Sequence, residues 1–317
     1  MQQASTQVLL VISTSRPLPL PIPKPRESGY TTSTPAPLYW CEYGPESAPP
    51  LLVLHGGPGA HHDYLLPQYL ALAERHRVVF YDQRGGGRSR SDSQDDITWR
   101  DQVDDVARVV EELRIEPLRI VGYSWGALLS LLYLVESTSR PELRRPTSLA
   151  LGSPAPLNRK FRGEFEAEFA RRQSSEAIGR VRDELAASGL RERDQAAYRQ
   201  RAFELSVAGY FADPSISHLL TPFRVMGRVQ ESIWRSLGDF DVIKQLENAR
   251  AIPALVVHGW YDPIPVESAY LCARALRARF VVLEASGHVA HVEQPRTLFN
   301  VIEQFLGEAE ASIKAPE

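Results

Sequence analysis

Three residues set far apart in this chain have side chains that together could carry out acyl transfer. Ser124 lies in IVGYSWGALL, residues 120–129, with a glycine two positions away on each side, where a β-branched apolar run gives way to a leucine-rich helical one. A turn that sharp strains its central residue and leaves no room for side chains at the flanking positions, so glycine is needed at both. The hydroxyl is then pushed out over a sheet edge. A serine hydroxyl is a weak nucleophile at neutral pH unless a histidine takes its proton and a carboxylate orients that histidine. Asp262 in HGWYDPIP and His288 in ASGHVAHVEQP follow in that order, each just after an apolar run. His258 and His291 are the alternative bases, but His258 ends a run ahead of the acid and His291 lies a helical turn past the glycine-flanked His288.

Acyl transfer also develops negative charge on a carbonyl oxygen, which backbone N–H groups free of side-chain obstruction can stabilise. The stretch HGGPG, residues 55–59, offers such amides after an apolar run. The expected donors are the amides of Gly57 and of Trp125, the residue after the serine. Gly85-Gly86-Gly87 lacks the Gly-Lys-Ser/Thr continuation of a phosphate loop and reads as a flexible turn. No cofactor or metal is called for.

These residues need a sheet to hold them. LLVLH (51–55), VVFYD (78–82), LRIVGY (118–123) and SLALG (148–152) read as buried parallel strands, being short, mostly continuous apolar runs closed by glycine or polar residues. Thr98 with Asp101 makes a helix N-cap between the second and third, and Val103, Val106, Val110 and Leu113 repeat at helical spacing. That alternation predicts right-handed βαβ crossovers and a doubly wound, mostly parallel α/β sheet. It breaks over residues 155–250, rich in Arg and Glu with helical stretches only, and resumes with ALVVHG (254–259), a helix near 266–277 and FVVLEA (280–285). The expected organisation is a core of 28–154 and 251–317, with 155–250 inserted as a helical cap over the strand ends, where ligands bind in open α/β sheets. Residues 1–27 form an N-terminal arm in which RPLPLPIPKPR (16–26) favours an extended polyproline-like path.

Composition narrows the partners. A net charge of −3 over 317 residues gives no electrostatic reason to expect nucleic acid or an anionic membrane. Cys41 and Cys272 lie far apart without metal-ligand spacing and read as buried apolar residues in a reducing cytoplasm. No apolar run approaches bilayer length, and the N-terminal apolar run lacks the basic flank of a signal peptide, so a soluble intracellular protein is expected. The oligomeric state is open.

HGGPGAHHDY, VVFYDQRGGGRS, GYSWG and the contexts of Asp262 and His288 together resemble the proline iminopeptidase and tricorn-interacting aminopeptidase group of α/β-hydrolases, over residues 28 to 306. The pairing of HGGPG with DQRG-x-G-x-S is its most specific part. The resemblance implies an α/β-hydrolase fold and a serine aminopeptidase that releases an N-terminal residue, often proline, from short peptides. In that group cap glutamates hold the substrate's free ammonium. By position Glu204 in RAFELS resembles one of them, with Phe203 where the family has tryptophan, and Glu231 in RVQESIW is a second candidate. Gly122-Tyr123 before the serine departs from the family's Gly-Gly. An esterase or lactonase acting on a small acyl substrate through the same triad is the alternative. A binding module without turnover has no use for a strained serine. Epoxide hydrolase and dehalogenase chemistry uses an aspartate where this chain has Ser124.

Overall fold

The computed structural model describes residues 21–91, 95–249 and 251–314; most of the expected proline-rich arm lies outside them. Eight strands form one sheet: β1 (Glu27–Tyr30), β2 (Tyr39–Tyr43), β3 (Pro50–Leu54), β4 (Arg77–Tyr81), β5 (Arg119–Tyr123), β6 (Ser148–Gly152), β7 (Ala254–Gly259) and β8 (Arg279–Leu283). Their spatial order is β1-β2-β4-β3-β5-β6-β7-β8. β1 and β2 are antiparallel, and every pair from β4 to β8 is parallel. The antiparallel edge was not expected. β2 reads YWCEY, whose mixed polarity gives no continuous apolar run.

Helices cross over between the parallel strands, as buried parallel strands require. They are α1 (Trp99–Glu112), α2 (Trp125–Glu136), α3 (Arg159–Gln173), α4 (Glu176–Ala187), α5 (Leu190–Arg193), α6 (Gln195–Val207), α7 (Gly227–Leu237), α8 (Val242–Leu246) and α9 (Val266–Leu276); α10 (Ala290–Glu293) and α11 (Pro295–Lys314) follow the last strand. α1 begins at a full capping box, with Thr98 and Asp101 exchanging hydrogen bonds. α2 is different. Ten of its residues are buried, so it is apolar all round and runs through the middle of one core layer.

Two apolar clusters flank the sheet. One gathers α1, α2, α8 and α9; the other gathers α11 with the chain around Tyr64 and Tyr69. Between β6 and β7 the described residues form helices and an isolated bridge, Asn158 with Asp241. That bridge, with Arg159 N–H donating to Phe240 O and Val242 N–H to Leu157 O, ties the two ends of the inserted segment together where it leaves the sheet.

Candidate active site

Ser124 occupies the single residue between the end of β5 and the start of α2, at φ 54° and ψ −117°. A side chain tolerates that region only when its surroundings impose it. The imposition comes from both sides: Ser124 N–H donates to Gly152 O, and its carbonyl accepts from Ala127, Leu128 and Ala155. The two glycines answer to packing. A β-carbon on Gly122 would stand 2.6 Å from Ala127 Cα, and one on Gly126 would collide with the Leu54 carbonyl of the neighbouring strand.

The structure brings Ser124, His288 and Asp262 together. His288 Nε2 lies 3.0 Å from Ser124 Oγ, and His288 Nδ1 lies 2.8 Å from Asp262 Oδ2. Asp262 Oδ1 accepts from Ile264 N–H at 2.8 Å, so both carboxylate oxygens are oriented. Burial pushes this carboxyl up, but His288, His258 and the hydrogen bonds outweigh it and hold it below the usual carboxylate range. His288 itself is gripped through its backbone. Its N–H donates to Tyr210 O at 2.7 Å, and its carbonyl accepts from Tyr123 Oη at 3.1 Å. Glu293 braces the same loop, accepting from Gly287 N–H and Ala212 N–H, each at 2.7 Å, and so fastens the end of the insertion to the histidine.

Neither alternative base reaches the serine by a hydrogen bond. His258 stands behind Asp262, its Nε2 on Ile264 O and its Nδ1 3.8 Å from the carboxylate. His291 is wholly buried among Tyr64, Tyr69 and Tyr123, and burial lowers it to about 3.

The HGGPG loop follows β3, beside β5 in the sheet. Gly57 has φ 61°, and neither its N–H nor that of Trp125 has a hydrogen-bond partner among the described residues. Gly56 admits no side chain, since a β-carbon there would come within 2.7 Å of Ser124 Cβ. Gln83, whose part no sequence signal announces, ties the HGGPG loop to the start of α2. Its Nε2 donates to His55 O at 2.8 Å, and its Oε1 accepts from Trp125 Nε1 at 2.9 Å. Burial lowers His55 to about 4, and the neutral ring accepts from Gln83 N–H.

The glycine run 85–87 is a turn, as expected, but a packed one. Gly85 N–H bonds Ser89 O at 2.7 Å, a β-carbon on Gly86 would strike Ala60 O, and one on Gly87 would strike Asp82. Asp82 holds the adjoining segment, accepting from the backbone and ring of His62 and from Arg88 N–H.

A family model for the alpha/beta hydrolase fold matches residues 49–295. The chain belongs to that family. It is similar to a proline iminopeptidase of Heyndrickxia coagulans, 27% identical over 269 residues that cover 81% of this chain and 90% of the relative. The crystal structure of a Mycobacterium smegmatis proline iminopeptidase superposes with a TM-score of 0.64 at 26% identity, covering 91% of this chain and all of that one. An enol-lactonase from Burkholderia xenovorans LB400 shares the fold, with a TM-score of 0.60 at 20% identity over 88% of this chain and all of that one. The protein is therefore a hydrolase with proline iminopeptidase relatives.

In this hydrolase the two cap glutamates do not join the triad. Glu204 is buried, but Gln200 and Arg201 of its own helix hold its carboxylate, at 3.1 and 2.6 Å. It lines a small cavity against α4 that no triad residue borders. Glu231 is exposed on α7, whose buried positions are Ser232 and Ile233. The reason is helical phase: successive residues point about 100° apart. On α6 it is Phe203 that turns to the site, packing on Phe223 (ring centroids 5.4 Å), which packs on Tyr64 (4.4 Å). Tyr64 Oη accepts from Gly56 N–H at 2.7 Å. With Val225 beside Gly57 and the Tyr210 ring 5.1 Å from that of His288, the insertion presents the serine with an aromatic and aliphatic wall. Among the described residues no helix is long and apolar enough to cross a membrane, and no cluster of side chains is suited to a metal.

Proposed function

We propose that this hydrolase is a serine aminopeptidase that releases an N-terminal residue, proline or a small apolar one, from short peptides through an acyl-enzyme. The observation that carries it is the Ser124–His288–Asp262 relay beside two amides unpaired among the described residues, in a chain similar along about four-fifths of its length to curated proline iminopeptidases. Ser124 Oγ attacks the scissile carbonyl while His288 Nε2 takes its proton. Asp262 stabilises the imidazolium, and the Gly57 and Trp125 N–H groups receive the oxyanion. The carbon–nitrogen bond then breaks, His288 returns the proton to the departing amine, and water repeats the sequence on the acyl-enzyme.

Ring faces rather than a carboxylate meet the acyl group. Tyr and Phe faces attract a cation by about 0.5–2 kcal/mol, and a compact prolyl ring suits the wall that Tyr210 makes beside His288. The carboxylesterase or lactonase reading keeps one observation in its favour: Arg201 already occupies Glu204, the residue expected to register an ammonium. The test is kcat/KM on prolyl and alanyl arylamides, free and N-acetylated, beside short acyl esters. A free-amine preference of tenfold or more supports the peptidase. Equal rates on free and blocked amines, with faster ester turnover, support the esterase.

A further inference from the structure

A cavity of about 1040 Å³ opens beside the triad rather than over it, between α6, the segment 222–232 and the loop after β4. Its apolar part includes Phe203 and Phe223, the pair that packs toward Tyr64 and the Gly56 amide, so it runs outward from the flank of the oxyanion loop. The rest of its lining is charged, with cations in excess. Five arginines, Arg88, Arg90, Arg199, Arg224 and Arg228, face three aspartates, Asp63, Asp95 and Asp96.

Partners within the fold account for only part of this charge. Arg88 is held by Asp63 and Asp82, Arg228 donates to Asp95 O, and Asp96 pairs with Arg235 at 3.6 Å. Arg90, Arg199 and Arg224, from three separate segments, have no carboxylate partner among the described residues. In a chain of net charge −3 this is a local reversal of sign. A cleft walled by one sign of charge concentrates ligands of the other, and guanidinium groups match the geometry of a carboxylate.

We propose that this cavity receives the leaving group of the substrate and that Arg90, Arg199 and Arg224 bind a carboxylate within it. The substrate class is then a short molecule with an apolar middle and an anionic tail, which for a peptide is its C-terminal carboxylate. The peptide form of this inference rests on the aminopeptidase reading, whereas the anionic leaving group does not.

The experiment uses matched pairs. Prolyl di-, tri- and tetrapeptides with free C-termini are compared with their C-terminal amides, and 4-acetoxybenzoate is compared with its methyl ester, which carries the same acetyl group on an uncharged leaving group. The free acids should be preferred by about tenfold in kcat/KM, the scale expected of a few partly exposed ion pairs. The preference should shrink as salt rises toward about 0.5 M. Arg199→Gln/Arg224→Gln should bring the acid-to-neutral ratio close to one, and Arg199→Lys/Arg224→Lys should retain part of it. A ratio near one in the wild type for every pair cleaved, or a ratio unchanged in the Gln variant, overturns the proposal. If no peptide is cleaved, the aminopeptidase reading fails alone and the ester pair still decides this one.

Discussion

Two carboxylate–imidazole pairs stand on opposite sides of the HGGPG loop with nearly the same dimensions and different fates. Asp262 meets His288 at 2.8 Å, and His288 ends on the half-buried Ser124 at 3.0 Å. Asp82 meets His62 at 2.7 Å, and His62 Nε2 ends on Cys41 Sγ at 3.1 Å. By residue type the second set could also be a nucleophilic relay. Access separates them. Cys41 is 1% exposed on β2, an interior strand, whereas Ser124 sits at a strand end under the insertion. The electrostatics differ as well. Burial opposes charge on His62, but hydrogen bonds to Asp82 and Cys41 outweigh it and raise the imidazole to about 10. A ring that keeps its proton through neutral pH cannot serve as a base there, but it can anchor a loop. The same constellation is therefore within reach of a substrate at a strand end and locked into structure in the interior.

The sharpest way to break the comparison is to remove the proposed nucleophile. Ser124→Ala should lower kcat by roughly 10⁴- to 10⁶-fold with the fold intact, read by arylamide or ester turnover beside thermal unfolding. A serine-reactive phosphonate should label Ser124 and leave Cys41 untouched. Next come the two aspartates, which should fail in opposite currencies. Asp262→Asn should cost about 10⁴-fold in kcat with little change in stability, because the imidazole loses its tautomer and its counter-charge. Asp82→Asn should cost about 1.5–3 kcal/mol of stability by taking from the buried imidazolium the shorter of its two carboxylate contacts, since Asp63 stays 3.2 Å from His62 Nε2, measured by urea unfolding, while the kcat of the folded fraction changes less than tenfold.

The pH dependence of unfolding sharpens the same contrast. His62 has its folded pKa raised from 6.5 to about 10, so its contribution is fully present below about pH 6.5 and is lost as pH rises toward 10. Asp82 is held below the usual carboxylate range: burial pushes it up, but the hydrogen bond and charge of His62 prevail, so its contribution is present above about pH 4 and lost as pH falls further. Urea midpoints should therefore decline on both flanks, and His62→Gln should flatten the alkaline decline. An unchanged alkaline slope in that variant would remove His62 from the account. The smallest effect belongs to the thiol. Cys41→Ala should cost about 1 kcal/mol, with kcat unaltered, since Asp82 still holds the ring.

The sequence by itself determined the parts of this protein that depend on neighbours along the chain. Two flanking glycines and the change from a β-branched to a leucine-rich run specify the turn at Ser124, and the Asp262 and His288 loops follow apolar runs that form the strands β7 and β8. Six of the strands and the capping box of α1 are local in the same sense. The tertiary structure decided what depends on which faces meet. Asp82 and Gln83 stood in plain view in DQRG, but their partners, His62 for the one and His55 with Trp125 for the other, come from the segment after β3 and a helix start. No spacing rule reports such contacts. Glu204 shows the limit most clearly, because a helical carboxylate has the same sequence signal whether it faces a substrate or an arginine three residues back. Here the phase of α6 turned Phe203 to the site and left Glu204 to Arg201. A strand end holds its side chain through backbone hydrogen bonds on both sides, whereas a helix in an insertion can rotate by one residue and change what it offers.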